Sequence, residues 1–356
     1  MSANITPAEP RFELVASRNF AAWLAEQQVS LAFTNPPQKL FLVGLQRDGQ
    51  LSIFERTFPR CLGIAAQGTQ TLYVSSRYQI WRLENALRPG QLTANGYDRL
   101  YIPRKAYTTG YVNIHDIAID DQGGVLFVNT RFGCLAEVSD QYSFIPRWLP
   151  PHLPQLMPGD RCHLNGLALK DGRPAYVTSV SETDGFDSWR DYRLGKGVAI
   201  DIPTKEVVVT GMSMPHSPRW YRDRLWLTNS GIGLFGYADF DRGAFETVTF
   251  APGFLRGLCF VGDYAVVGSS KPREGDLYSG LGLDEALAQR RAKPRLGLFI
   301  VDLRTGEIPH WLFIEGEVRE LYDVVALPAV QQPMALGLLT DEIEKSLWFN
   351  PQPIGL

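Results

Sequence analysis

Beyond residue 28 the chain alternates short apolar runs with turn residues. The runs are rich in Val, Leu, Ile, Phe and Tyr and are bounded by Gly, Asp, Asn and Pro, the pattern of antiparallel strands joined by tight turns. The stretch from Phe12 to Gln27 has helical spacing, through Phe12, Val15, Phe20, Trp23 and Leu24, and beyond it helical periodicity nearly disappears. It predicts a short helix on the outside of the fold.

The runs recur as a larger unit: polar residues, a short apolar strand, a turn, a second strand ending in small polar residues, then two more strands. The unit begins at Arg60-Cys61-Leu62, His115-Asp116-Ile117, His163-Leu164-Asn165, Pro215-His216-Ser217 and Leu255-Arg256-Gly257, and a sixth is begun by Leu321-Tyr322-Asp323. Repeats of this length predict an all-β, six-bladed β-propeller. The sixth unit lacks outer strands, and segments within 29–57 can supply them, so that one blade shared by the two ends closes the ring and buries its edges. The expected layout is one propeller domain over 1–356, with an outer helix at 12–27, outer strands of the closing blade at 29–57, five blades over 60–320 and the closing inner strand at 321–327. Unit starts lie about 40 to 66 residues apart, looser than a regular propeller repeat, which leaves a seventh blade open.

In such a blade the first strand runs along the central channel and the second returns antiparallel, so the start of one and the end of the other share a mouth. That rule gathers Arg60, His115, Asp116, His163, Asn165, His216, Ser217, Arg256, Tyr322 and Asp323 from the starts. The ends add Asn129, Arg131 and Asn229. Three of the five histidines occupy one position of the repeat. The long connections rise over the same mouth and carry Tyr107, Tyr111, Trp189, Tyr192 and Tyr278, and Asp284 to Arg291 suits a short lid helix. Long loops over one face of a rigid scaffold are where binding usually resides.

Three chemistries suit this ring. His115, Asp116, His163, His216 and Arg256 are candidate catalytic groups: imidazoles for acid–base work and a guanidinium for an anionic intermediate. Arg60, Asn165, Ser217, Asn229, Tyr322, Asp323, Trp189 and Tyr192 are candidates for substrate contact. His115, His163, His216 and Asn165 are a candidate ligand set for a divalent ion, Zn or Fe if imidazoles dominate and Ca or Mg if oxygens do. Cys162, next to His163, adds a candidate thiol nucleophile. Against all of these stands a plainer expectation: polar strand tips often only satisfy backbone groups.

Composition narrows the partners. A formal charge of -3 without a basic stripe argues against nucleic acid, and no apolar run is long enough for a spanning helix. No signal-peptide pattern opens the chain and no Gly-rich nucleotide loop is present, so a cytoplasmic protein without a nucleotide cofactor is expected. The four cysteines are scattered, without CxxC spacing, and are expected as free thiols.

Two resemblances follow. His163-Leu164-Asn165-Gly166-Leu167 and Asn113-Ile114-His115-Asp116 resemble the inner-strand motifs of the gluconolactonase and senescence-marker propellers. Asn165 matches one metal ligand of that family, while His115 and Ser217 stand where it places Asn and Asp. Pro215-His216-Ser217-Pro218-Arg219-Trp220, Leu225-Trp226-Leu227-Thr228-Asn229-Ser230-Gly231, Phe254-Leu255-Arg256-Gly257-Leu258 and Glu320-Leu321-Tyr322-Asp323-Val324 look like a bacterial family of conserved hypothetical proteins, sometimes joined to tetratricopeptide repeats. The resemblance implies a propeller and assigns no activity. Two functions stay open. One is a hydrolase, lyase or isomerase acting on a small polar molecule or peptide at the mouth, with or without metal; the other is a non-catalytic module binding a protein or glycan.

Overall fold

The structure is a computed structural model, and it describes residues 12–35, 39–272, 280–316, 318 and 320–349. Six mainly antiparallel sheets are arranged radially. Their inner strands are, in order of blades 1 to 6, Ile64–Gln67, Ile114–Ile119, Leu164–Lys170, Pro215–Tyr221, Phe254–Val261 and Val324–Pro328. Each inner strand packs on the next, and the sixth packs on the first. The ring is therefore a closed six-bladed β-propeller.

Closure occurs by the expected device. Val324–Pro328 pairs with Val29–Asn35, whose hairpin partners are Lys39–Leu45 and Leu51–Thr57. Both faces of Val29–Asn35 and Lys39–Leu45 are buried, as befits strands walled by a blade on either side. Apolar clusters fill the wedges between blades. One of them joins Phe33, Phe41 and Val43 of the closing blade to Val266, Leu298 and Ile300 of blade 5.

Three boundaries differ from expectation. The N-terminal helix is present but covers only Phe20–Gln27, with Phe20, Trp23 and Leu24 buried. Phe12–Ala16 is instead a fifth, outermost strand of blade 5, paired with His310–Gly316. Its Phe12, Leu14 and Ala16 turn inward while Glu13 and Val15 face out, so a period of two prevails where Val15 had suggested a helical face. The closing inner strand starts at Val324, which leaves Tyr322 and Asp323 in the turn that enters it. Pro333–Ala335 adds a short parallel strand outside blade 1, covering the edge of Arg99–Thr108.

The loops over the mouth build a cap. Ser188–Tyr192 forms a 3-10 turn and Gly282–Gln289 a helix. Leu283 and Leu287 of that helix pack with Val180, Trp189, Met214 and Phe254. Tyr278 lies outside the described residues.

Candidate functional site

The chain turns sharply to enter the inner strands of blades 1 to 4, and the cost is visible in the backbone. Arg60, Asn113, Asp160, His163, Met214 and Ser217 all hold positive φ, between +45° and +56°. Non-glycine residues in the left-handed region cost on the order of 1–3 kcal/mol each, and such positions concentrate at functional sites. Gly257 has φ +75° and lies so close to the Asp323 backbone that a Cβ would sit 2.9 Å from its Cα, so only glycine fits there.

These turns bring the aromatic and cationic side chains of the mouth together. The His115 and His163 rings meet edge to face at 4.7 Å, and His163 and His216 are 6.4 Å apart. Trp189 stacks on His163 at 4.0 Å; Tyr322 meets His115 at 5.3 Å and Phe254 meets His216 at 5.4 Å. The Arg256 guanidinium lies over Tyr322 at 4.7 Å and over Phe254 at 5.0 Å. All of these side chains are buried.

The three imidazoles share one orientation. His115 Nδ1 lies 3.0 Å from the Asn113 carbonyl and 2.8 Å from the Thr130 hydroxyl, whose own proton goes to the Leu164 carbonyl. His216 Nδ1 lies 2.9 Å from the Met214 carbonyl. His163 Nδ1 faces both carboxylate oxygens of Asp160, at 2.9 and 3.1 Å. Only an N–H can face such oxygens, so each Nδ1 donates and each Nε2 is left as the variable atom. Burial holds His115 and His216 well below the ordinary imidazole value, assisted by the His163 ring and Arg256 at His115 and by Arg256 and then His163 at His216. Both are neutral at pH 7, with a lone pair on Nε2. His216 Nε2 is buried and, among the described residues, has no hydrogen-bond partner.

A second set of polar groups from the same strands ties the blades to one another. Arg219 reaches from blade 4 to Asp116 of blade 2, with contacts of 2.7 and 3.1 Å, and to Asp323 of blade 6 at 3.4 Å. Asp116 also accepts the Leu167 amide of blade 3, Asp323 the Ile64 amide of blade 1, and Ser217 the Gly257 amide of blade 5. Burial, with Asp116 nearby, raises the Asp323 carboxyl to about 7 against the lowering pull of Arg219. The ends of the second strands do similar work: the Thr34, Thr130, Ser230 and Ser270 hydroxyls donate to the Leu62, Leu164, Leu255 and Leu321 carbonyls of the following blade.

The candidate residues therefore divide. His115, His163, His216, Arg256, Tyr322 and Trp189 converge. Asp116 does not orient His115, because its carboxylate is committed to Arg219 and a backbone amide, and Ser217 and Asp323 are engaged in the same way. Asn229 Oδ1 accepts the Ser213 amide at 2.8 Å. Asn165 Oδ1 accepts the Thr178 hydroxyl at 2.7 Å, while its Nδ2 is buried with no partner among the described residues. Tyr192 is exposed, away from the ring stack, and Arg60 lies exposed over Tyr111. Burial pushes the Cys162 thiol up to about 12, so it is no thiolate nucleophile. All four cysteines are free.

Two residues of the mouth and its supporting layer escaped the strand-start rule. Asp160 lies in the loop before the third unit, and its only signal is a spacing of three from His163. Arg219 lies mid-strand and reaches across the channel.

The donor set does not suit the metal that the gluconolactonase resemblance implies. Among the described residues no group of three His, Cys, Asp or Glu is placed to hold an ion. The Asn165 oxygen and the Asp116 and Asp323 carboxylates are already hydrogen-bonded.

Fold and site together define a six-bladed propeller with a buried imidazole–guanidinium ring at one channel mouth. Over residues 18–336 the chain matches a domain of unknown function, DUF4915, and it belongs to that family. No curated protein matches it. Among solved structures, a chain of a nidogen/laminin complex is similar at 11% identity, covering 85% of this chain and 99% of that one, with a TM-score of 0.52. A gluconolactonase from Xanthomonas campestris is similar at 13% identity over 84% and 94% of the two chains, TM-score 0.46. A regucalcin from Agrobacterium tumefaciens, a calcium-binding protein, is similar at 13% over 83% and 90%, TM-score 0.46. These likenesses concern the fold. No helix among the described residues is long and apolar enough to cross a membrane.

Proposed function

We propose that the mouth carries out acid–base chemistry of hydrolase, lyase or isomerase type on a small anionic molecule, without a metal. His163 is the base, Asp160 orients it, Arg256 holds the anionic group, and the Nε2 atoms of His115 and His216 accept hydrogen bonds from substrate hydroxyls or amides. The observation that carries this reading is the Asp160 carboxylate on His163 Nδ1. A carboxylate there fixes the tautomer that leaves Nε2 as a base and stabilises the imidazolium once the proton is taken. Both residues hold strained backbone to make the contact. The stacked Trp189 keeps the ring from rotating away and sheds water from one of its faces.

The test is turnover of a panel of small hydroxy acids, lactones and carboxylate esters, followed by mass spectrometry for the wild type, His163→Gln and Asp160→Asn. The expected result is a substrate whose turnover falls by on the order of 10²-fold or more in both variants. Turnover indifferent to His163→Gln overturns the assignment. Anion binding that depends on Arg256 with no turnover of any compound would instead make the mouth a binding module.

A further inference from the structure

The cations around the mouth are unevenly neutralised. On the side of blades 3 and 5 several have an acidic partner: Arg161 with Asp184, Arg190 with Asp187 at 2.6 Å, and Lys271 with Glu315 at 3.1 Å. On the side of blades 1 and 2 the arrangement differs. Arg60 enters the first inner strand and Arg131 follows the second strand of blade 2, and both place their guanidinium carbons over the ring of Tyr111, at 5.1 and 5.6 Å. Among the described residues neither has a carboxylate partner. Arg131 also donates from Nη1 to the Tyr111 carbonyl at 3.5 Å.

Two like charges gathered on one ring repel, and the ring quadrupole offsets only part of that cost at an exposed position. An oxyanion from outside supplies what is missing. The guanidinium fork matches carboxylate and phosphate oxygens. The sector is also mechanically joined to the base, since the Arg131 carbonyl accepts the amides of Gly159 and Asp160 at 2.9 and 3.0 Å. Two backbone hydrogen bonds thus tie Arg131 to the segment that carries the carboxylate orienting His163.

We infer that Arg60, Tyr111 and Arg131 form a second anion subsite, so that the ligand carries two anionic groups, one held at Arg256 and the other at this rim. The inference rests on the reading of the mouth as an anion site. Carboxylate and phosphate share the required chemistry, and the probes separate them: succinate and inorganic pyrophosphate, with acetate as the single-charge control.

Binding is measured by calorimetry at low and high salt, and occupancy of the mouth by the imidazole NMR signals of His163 and His216. Wild type is expected to bind one of the dianions about tenfold or more tighter than acetate, weakening with salt. The double variant R60Q/R131Q, at exposed positions, is expected to bind that dianion no better than acetate while acetate still moves the imidazole signals. The tighter of the two dianions identifies the second group. An unchanged preference for the dianion in R60Q/R131Q overturns the rim subsite and leaves the mouth reading intact. Imidazole signals that respond to none of the three probes, in wild type and in Arg256→Gln alike, overturn the mouth reading and the subsite with it.

Discussion

His115 and Asp116, His216 and Ser217, and Tyr322 and Asp323 are neighbours in the chain, yet the members of each pair are employed differently. The first member joins the aromatic ring at the mouth and makes its close contacts with other rings and with Arg256. The second bonds a backbone amide of the next blade, and two of the three also hold Arg219. His115 and Asp116 lie in an extended strand, where adjacent residues point to opposite sides, and one short polar motif can serve a ligand and the scaffold at once. The contrast teaches that polarity at a propeller mouth does not by itself mark a site. A stronger mark is a buried polar atom at the mouth with no hydrogen-bond partner among the described residues, as at His216 Nε2 and Asn165 Nδ2.

The largest effect should come from breaking the scaffold layer. Arg219→Met leaves the Asp116 and Asp323 carboxylates buried without the guanidinium that holds them. Removing one partner of such a group costs about 3–5 kcal/mol. His216→Gln, in the mouth layer, should cost about 1 kcal/mol, an ordinary substitution. Urea denaturation of both variants checks the ranking, and equal losses would erase the distinction between the layers.

Next in size is a pH effect confined to the scaffold. The Asp323 carboxyl is raised from the ordinary value of about 3.9 to about 7, so across that window the folded chain keeps a proton that the unfolded chain has released. Its contribution to stability is whole at the acid end and is lost as pH rises toward 7. Asp323→Asn should flatten the slope of stability against pH in this window. Urea midpoints measured across it decide the point, and a slope as steep as wild type would show that another group carries it. Smaller still are the hydroxyl ties between blades: Ser230→Ala and Thr130→Val should each cost about 1 kcal/mol, read as a fall in melting temperature.

The fold was legible in the chain because a radial repeat converts register into place. Once unit starts are aligned, His115, His163 and His216 must share a mouth, and the unfinished sixth unit must borrow the strands at 29–57. Interactions between units were not legible. Nothing local announces that Arg219 spans from blade 4 to blades 2 and 6, or that Asp116 is thereby withdrawn from His115. Asp160 is hidden because it lies in an insertion, outside the repeat. Phe12–Ala16 was read as part of a helix because Phe12 and Val15 fit a helical face as well as Phe12 and Leu14 fit a strand. Only the free edge of blade 5 decides between them.

The smallest expected effect separates the layers by charge rather than by stability. Arg256 faces the rings of Phe254 and Tyr322 and depresses the protonation of His115 and His216. Burial is the larger cause at both. Removing the cation by Arg256→Met should therefore raise both values while leaving them below the ordinary imidazole range, and imidazole NMR signals followed against pH would read each ring separately. The Arg219 cluster provides the control. It belongs to the scaffold layer, so Asp323→Asn should leave both titrations where they are. If Arg256→Met moves neither ring, the guanidinium and the imidazoles do not form one electrostatic unit, and an anion held at Arg256 would have no means of raising the basicity of the rings beside it. If both rings rise, binding an anion there should do the same in the wild type. The mouth would then gain basicity when its ligand arrives, which the blade-tying layer beneath it has no way to do.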